Sequence, residues 1–114
     1  MPLTRSFRET VQARAQRDVK FRQALLGEAM QMLLDGDLEE GRSALRSCIN
    51  ATIGFEKLGV ALGISPKSLM RMFGPAGNPS ARNLFSVIGT LQRASGVRLR
   101  VRHASNSADA RVQR

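Results

Sequence analysis

Ser65, Lys67, Ser68 and Arg71 place two hydroxyls, an ammonium and a guanidinium within a short stretch of chain. All four donate hydrogen bonds, and two are cations. Such groups suit phosphates and the acceptor edges of bases. Arg71 is the best shaped to fork onto a guanine, because its planar donors match two acceptors on that base edge. Lys67 suits a base or a phosphate. Ser65 can cap a helix and still meet a phosphate. Asn78, Ser80 and Arg82 form a second set at a loop and a helix start. Backbone N–H groups and a basic side chain there also suit a phosphate. Arg82 fits equally well as a solvated surface arginine. Met70 can touch a thymine methyl, but packing is its simpler use.

Covalent and metal chemistry find less support. The single histidine, His103, lies in a polar tail, and the single cysteine, Cys48, falls on an apolar helical stripe. A buried, inert thiol is the ordinary fate of such a cysteine. One cysteine excludes an internal disulfide and a multi-cysteine zinc site. No Walker-type loop, paired metal ligands or nucleophile elbow is present. Neither an enzyme nor a metal or cofactor is expected. Tyr and Trp are absent, and Phe55, Phe73 and Phe85 suit a core better than stacking on single-stranded bases.

The first set needs a helix to present it, and the flanking residues supply one. Phe55 to Leu62 predicts a short helix. Gly63 follows, where a left-handed backbone is common. Ser65 caps the next helix, and Pro66 takes its first turn, where a missing N–H costs nothing. Gly59 offers a small contact between the two helices, and Leu58, Leu62, Ile64, Leu69 and Met72 clamp them. The spacing fits the two-helix motif whose second helix enters the major groove. A generic helical hairpin has the same spacing. Gly74 to Pro79 is a turn-rich loop. Ser80 caps a helix from Ala81 to about Ala94, with Leu84, Phe85, Val87, Ile88 and Leu91 expected in the core and Gly96 as its stop.

Upstream, Ser6 and Glu9 form a capping box, which predicts a helix to about Arg17. Asp18 caps a second helix from Val19 to Leu34. Its face is Phe21, Leu25, Ala29, Met32 and Leu33, widened by Leu26 and Leu34. Gly36 ends it. Asp37 and Glu40 repeat the capping logic and predict a third helix to about Asn50, with Leu38, Leu45, Cys48 and Ile49 as its stripe. Downstream, residues 97–102 alternate apolar and basic, the period of a half-buried strand. No second strong strand accompanies it. Val97, Leu99 and Val101 are therefore expected to pair with another chain and form the dimer or partner element. The alternative is that they pack on the helices. Residues 103–114 are expected to be disordered.

The sequence thus predicts an all-α fold with one short C-terminal strand. It divides into an N-terminal helical extension (1–36), a central helical domain (37–96), the strand (97–102) and the tail (103–114). With 114 residues, 42% of them hydrophobic, the chain has room for one domain and a modest core. No apolar run reaches the roughly 18 residues of a membrane span, and no apolar signal segment is apparent, so a cytoplasmic protein is expected. The net charge is +9. It is uneven: +4 over residues 1–22, −3 over 23–50, +4 over 51–94 and +4 over 95–114. A basic balance favours polyanions through counterion release, though it also serves plain solubility.

Residues 65–79, Ser-Pro-Lys-Ser-Leu-Met-Arg-Met-Phe-Gly-Pro-Ala-Gly-Asn-Pro, lead into Ser80-Ala81-Arg82-Asn83-Leu84-Phe85-Ser86-Val87-Ile88. This run closely resembles the antidote proteins of HigA-like addiction modules. Those belong to the wider helix-turn-helix class of Cro and the lambda repressor. The likeness covers about residues 38–102 well and the first forty weakly. It implies a lambda-repressor-like five-helix DNA-binding domain, a homodimer on a palindromic operator of double-stranded DNA, and often an RNase-type toxin partner. The expected function is a sequence-specific transcriptional repressor, the autoregulatory antitoxin of a toxin–antitoxin module, bound to the nucleoid through its operator. The alternatives are an antitoxin that acts mainly by neutralising an mRNA-cleaving toxin, and a non-catalytic helical interaction module. The acidic patch Asp35, Asp37, Glu39 and Glu40 suits a basic partner.

Overall fold

Good caps and three-and-four apolar spacing divide the chain into helices. The computed structural model describes residues 5–105. They form α1 (Arg5–Arg17), α2 (Val19–Leu34), α3 (Leu38–Ala51), α4 (Phe55–Leu62), α5 (Pro66–Met72) and α6 (Ala81–Ser95). No strand occurs among the described residues. Among these residues no helix is long and apolar enough to cross a membrane.

Asp18 caps α2, its carboxylate accepting from the backbone N–H of Lys20 at 3.0 Å and of Phe21 at 3.2 Å. Gly36, at φ 88°, turns the chain after α2 in a conformation that side chains resist. Two expected caps are not made. Ser6 lies inside α1, where its carbonyl accepts from the Thr10 hydroxyl at 3.0 Å. A helical backbone at Ser6 rules out the extended conformation a capping residue needs. Asp37 does stand at the start of α3, yet its side chain makes no capping bond. Glu39 and Glu40 still place negative charge in that first turn.

The core joins Leu26 and Ala29 of α2 with Leu45, Cys48 and Ile49 of α3, Phe55 and Leu58 of α4, Leu69 of α5, and Val87 and Leu91 of α6. Gly41 lets α2 and α3 come close, since a Cβ there would lie 2.6 Å from Leu33 Cδ2. α1 lies on α2 and α3 and buries Ala15. Arg22 fastens the far end. Its Nε donates to Ser95 O at 2.8 Å, and Nη1 donates to Ala15 O at 2.7 Å and Gln16 O at 3.3 Å.

Three apolar residues expected inside are outside. Leu34 and Leu38 flank the α2–α3 turn at 62% and 65% exposure. The covered side of α2 reaches only to Leu33 and that of α3 starts at Gly41, which faces it, so the two leucines at the turn itself have nothing over them. Phe85 is 63% exposed. The buried face of α6 runs through Leu84, Val87, Ile88 and Leu91, and Phe85 lies about 100° round the helix from Leu84, off that face.

The expected strand at 97–102 is also corrected. Val97 is buried in the chain's own core, and its N–H donates to Gln92 O at 3.0 Å. The N–H of Leu99 donates to Gln92 Oε1 at 2.8 Å, and its side chain packs on the core. Val101 is exposed. A lone strand has no ladder to join, so a glutamine side chain satisfies the backbone donor locally. Packing on the helices, the weaker expectation, describes Val97 and Leu99 but not Val101. Residues 103–105 have no regular structure, and the rest of the expected disordered tail lies outside the described residues.

Candidate nucleic-acid interface

Gly59 and Gly63 set the geometry of the α4–α5 pair. Gly63 adopts φ 70°, ψ 30°, the left-handed region, and its N–H closes α4 onto Gly59 O at 2.8 Å. The N–H of Ile64 shares that acceptor at 3.1 Å. A Cβ on Gly59 would lie 2.6 Å from Ile64 O and 3.4 Å from the Pro66 ring, so only glycine lets the turn fold back onto α4. Ser65 then starts α5 in extended conformation. Its hydroxyl accepts from the Ser68 N–H at 3.2 Å and donates to Ser68 Oγ at 2.9 Å. With that proton committed, the Ser68 hydroxyl keeps its own proton for an outside acceptor.

Leu69 is fully buried and Met72 half-buried, so α5 rests on the core by one side. Lys67, Met70 and Arg71 are exposed on the other, and Ser68 is half-exposed at its edge. Met70 is 41% exposed, so it joins this surface and does not serve mainly as packing. Between Glu56 and Asp109 the chain has no acidic residue. The ion pair found among the described residues, Arg14 with Asp18, engages none of Lys67, Arg71 and Arg82.

The second set is joined to the first by a tight loop. Gly74 N–H donates to Arg71 O at 3.2 Å, and Gly77 N–H to Gly74 O at 2.9 Å. A Cβ on Gly77 would collide with the carbonyl oxygens of Arg71 and Met72. The loop is thus folded onto the last turn of α5. Asn78 and Ser80 are exposed; Ser80 caps α6 by accepting from the Asn83 N–H at 3.1 Å. Asn83 Nδ2 reaches Met72 Sδ at 3.7 Å and ties the start of α6 to the end of α5. Arg82 is exposed in the first turn of α6. Val97 and Leu99 lie elsewhere, beside Gln92, about 18 Å along α6 from Ser80 at the helical rise, and Val101 follows them on the exposed surface.

The arrangement offers donors and cations on an open surface. No group of three or more potential metal ligands occurs among the described residues. Burial pushes the Cys48 thiol up to about 11, which makes it a poor nucleophile. The residue that sequence reasoning missed is Arg42. The sequence patterns of α3 assign it no role. Its side chain instead bonds the carbonyls of Pro75 and Gly77. Its partners lie 33 and 35 residues away, and no local pattern signals such a contact.

No family model matches the chain, and neither a curated protein nor a solved structure matches it.

Proposed function

We propose that the chain is a sequence-specific repressor that binds double-stranded DNA as a homodimer on a palindromic operator in its own promoter, in the manner of the HigA-like antidotes its residues 65–88 resemble. In this reading α2 to α6 form a lambda-repressor-like domain, and α5 enters the major groove. One observation carries it. α5 buries Leu69 while exposing Lys67, Met70 and Arg71 beside a half-exposed Ser68, on a stretch of chain free of acids. Arg71 reads a guanine, Lys67 and Ser68 meet a base or phosphate, and Asn78, Ser80 and Arg82 hold the adjacent backbone. Footprinting of the chain's own promoter tests the reading. Protection of a two-fold symmetric site supports it. Binding that is indifferent to sequence leaves only a helical interaction module.

A second reading has its own observation. Leu34 and Leu38 are exposed among Asp35, Asp37, Glu39 and Glu40, all exposed at the α2–α3 turn. Apolar contact ringed by acids suits a basic protein, such as an RNase-type toxin. Co-expression with the product of the adjacent gene tests this. Co-purification that Leu38→Lys abolishes, with DNA binding intact, favours neutralisation by this turn. Failure to co-purify removes the antidote role.

A further inference from the structure

Arg42 stands on α3, outside every set assigned to the interface. Its guanidinium crosses to the loop between α5 and α6, where Nη1 donates to Gly77 O at 2.7 Å and Nη2 to Pro75 O at 3.0 Å. Its Nε is buried with no hydrogen-bond partner. Burying a charged donor unpaired is costly, so the two carbonyl bonds must hold the side chain there. The same loop is pressed onto α5 from the other side, since Gly77 sits against the carbonyls of Arg71 and Met72 with no room for a Cβ. One end of this fastened segment carries Arg71, and the other opens into Asn78, Ser80 and Arg82.

We propose that Arg42 is a positioning residue for DNA binding. By bridging the Pro75 and Gly77 carbonyls it fixes the start of α6 relative to α5, so that Arg71 and the Ser80–Arg82 turn reach one duplex together. This rests on the DNA-binding reading above. Two contact sets joined by a loose loop must pay an ordering cost on binding; a loop already fastened avoids it. The bridge needs a fork. A lysine keeps the charge but presents a single ammonium, which does not reproduce two parallel bonds to two carbonyls.

The test compares Arg42→Lys and Arg42→Met with the parent chain, on a footprinted operator at several salt concentrations. Hydrogen exchange of residues 74–79 is followed in the same proteins, and folding is checked by circular dichroism. In both variants, loop exchange is expected to rise and operator affinity to fall at least tenfold. The slope of log affinity against log salt is expected to shrink by about one contact as Arg82 leaves its phosphate. Full affinity in Arg42→Lys overturns the proposal, since charge alone then suffices. A loosened loop with unchanged affinity and slope also overturns it, because Arg42 then serves structure only. If neither variant folds, Arg42 is a folding determinant and the positioning role falls. If the parent chain binds no DNA, the function reading falls and takes this inference with it. If the parent binds and the variants match it, this inference alone is lost.

Discussion

Two arginines fasten opposite ends of this molecule, and they do so to different carbonyls. Arg22 bonds Ala15, Gln16 and Ser95, the closing residues of α1 and α6. Carbonyls in the last turn of a helix have no partner within it, and the helix dipole makes that end attractive to a cation. Arg42 bonds Pro75 and Gly77, loop residues that belong to no helix. At the first end the arginine joins elements that already share a core. At the second it shapes a surface loop whose form would otherwise rest on two short-range backbone bonds. The same guanidinium chemistry therefore serves stability at one end and the geometry of the proposed interface at the other.

The largest effect expected from this contrast is at Arg22. Arg22→Met removes its three bonds and should lower the free energy of unfolding by about 2–3 kcal/mol in urea titrations. Operator affinity, measured well below the melting range, should not change. A loss of affinity in the folded variant would break the contrast, because both ends would then shape the interface.

At the other end Arg71→Ala should do the reverse. It should weaken operator binding by about 1–3 kcal/mol and relax base preference in gel-shift titrations on matched and mismatched sites. Stability should stay within roughly 0.5 kcal/mol of the parent, as expected for an exposed side chain. Lys67→Ala, if Lys67 meets a phosphate, should reduce the salt slope by about 0.9. A base preference untouched by Arg71→Ala removes that residue from readout.

The C-terminal segment sharpens the contrast on the stability side. Val97→Ala should destabilise by about 1–2 kcal/mol, from lost burial plus a small cavity. Val101→Ala, at an exposed position, should stay within roughly 0.5 kcal/mol. Equal effects in thermal unfolding would mean that Val101 is covered in solution, by a second copy or by another protein.

Cys48 gives the smallest effect. Its thiol ionises near 9.0 in an unfolded chain and at about 11 in the folded one. Its folded value is the raised one. Below pH 9 both states hold the proton, and Cys48 adds no pH dependence. As pH rises from about 9 to 11 the unfolded state alone ionises, so this contribution to stability is lost across that window. Cys48→Ala should flatten the alkaline decline in melting temperature relative to the parent. A thiol reagent at pH 8 should label the parent chain only after unfolding.

The helical pair was legible because its determinants are local. Gly63, Ser65, Pro66 and Ser80 act within four residues of themselves, and all four occupy the conformations their types demand. Asp18 behaves likewise. Ser6 and Asp37 show the limit of the same rule. A capping pattern states what a side chain is able to do; the helix can run through such a residue, as at Ser6, or start at it without the bond being made, as at Asp37.

The sequence by itself determined that the chain is helical, where most helices begin and end, and that Lys67 and Arg71 share a surface with Ser68. Those outcomes depend on backbone sterics and on bonds to near neighbours. Tertiary structure alone decided three others. Val97 went into the core and its segment did not form a strand, because buried area was available to it and Gln92 accepts the N–H bonds of Val97 and Leu99. Leu34 and Leu38 stayed outside, because helical spacing marks a face without telling how far its cover extends. Arg42 met its carbonyls across more than thirty residues, a contact fixed only once α3 and the 74–79 loop had been brought side by side.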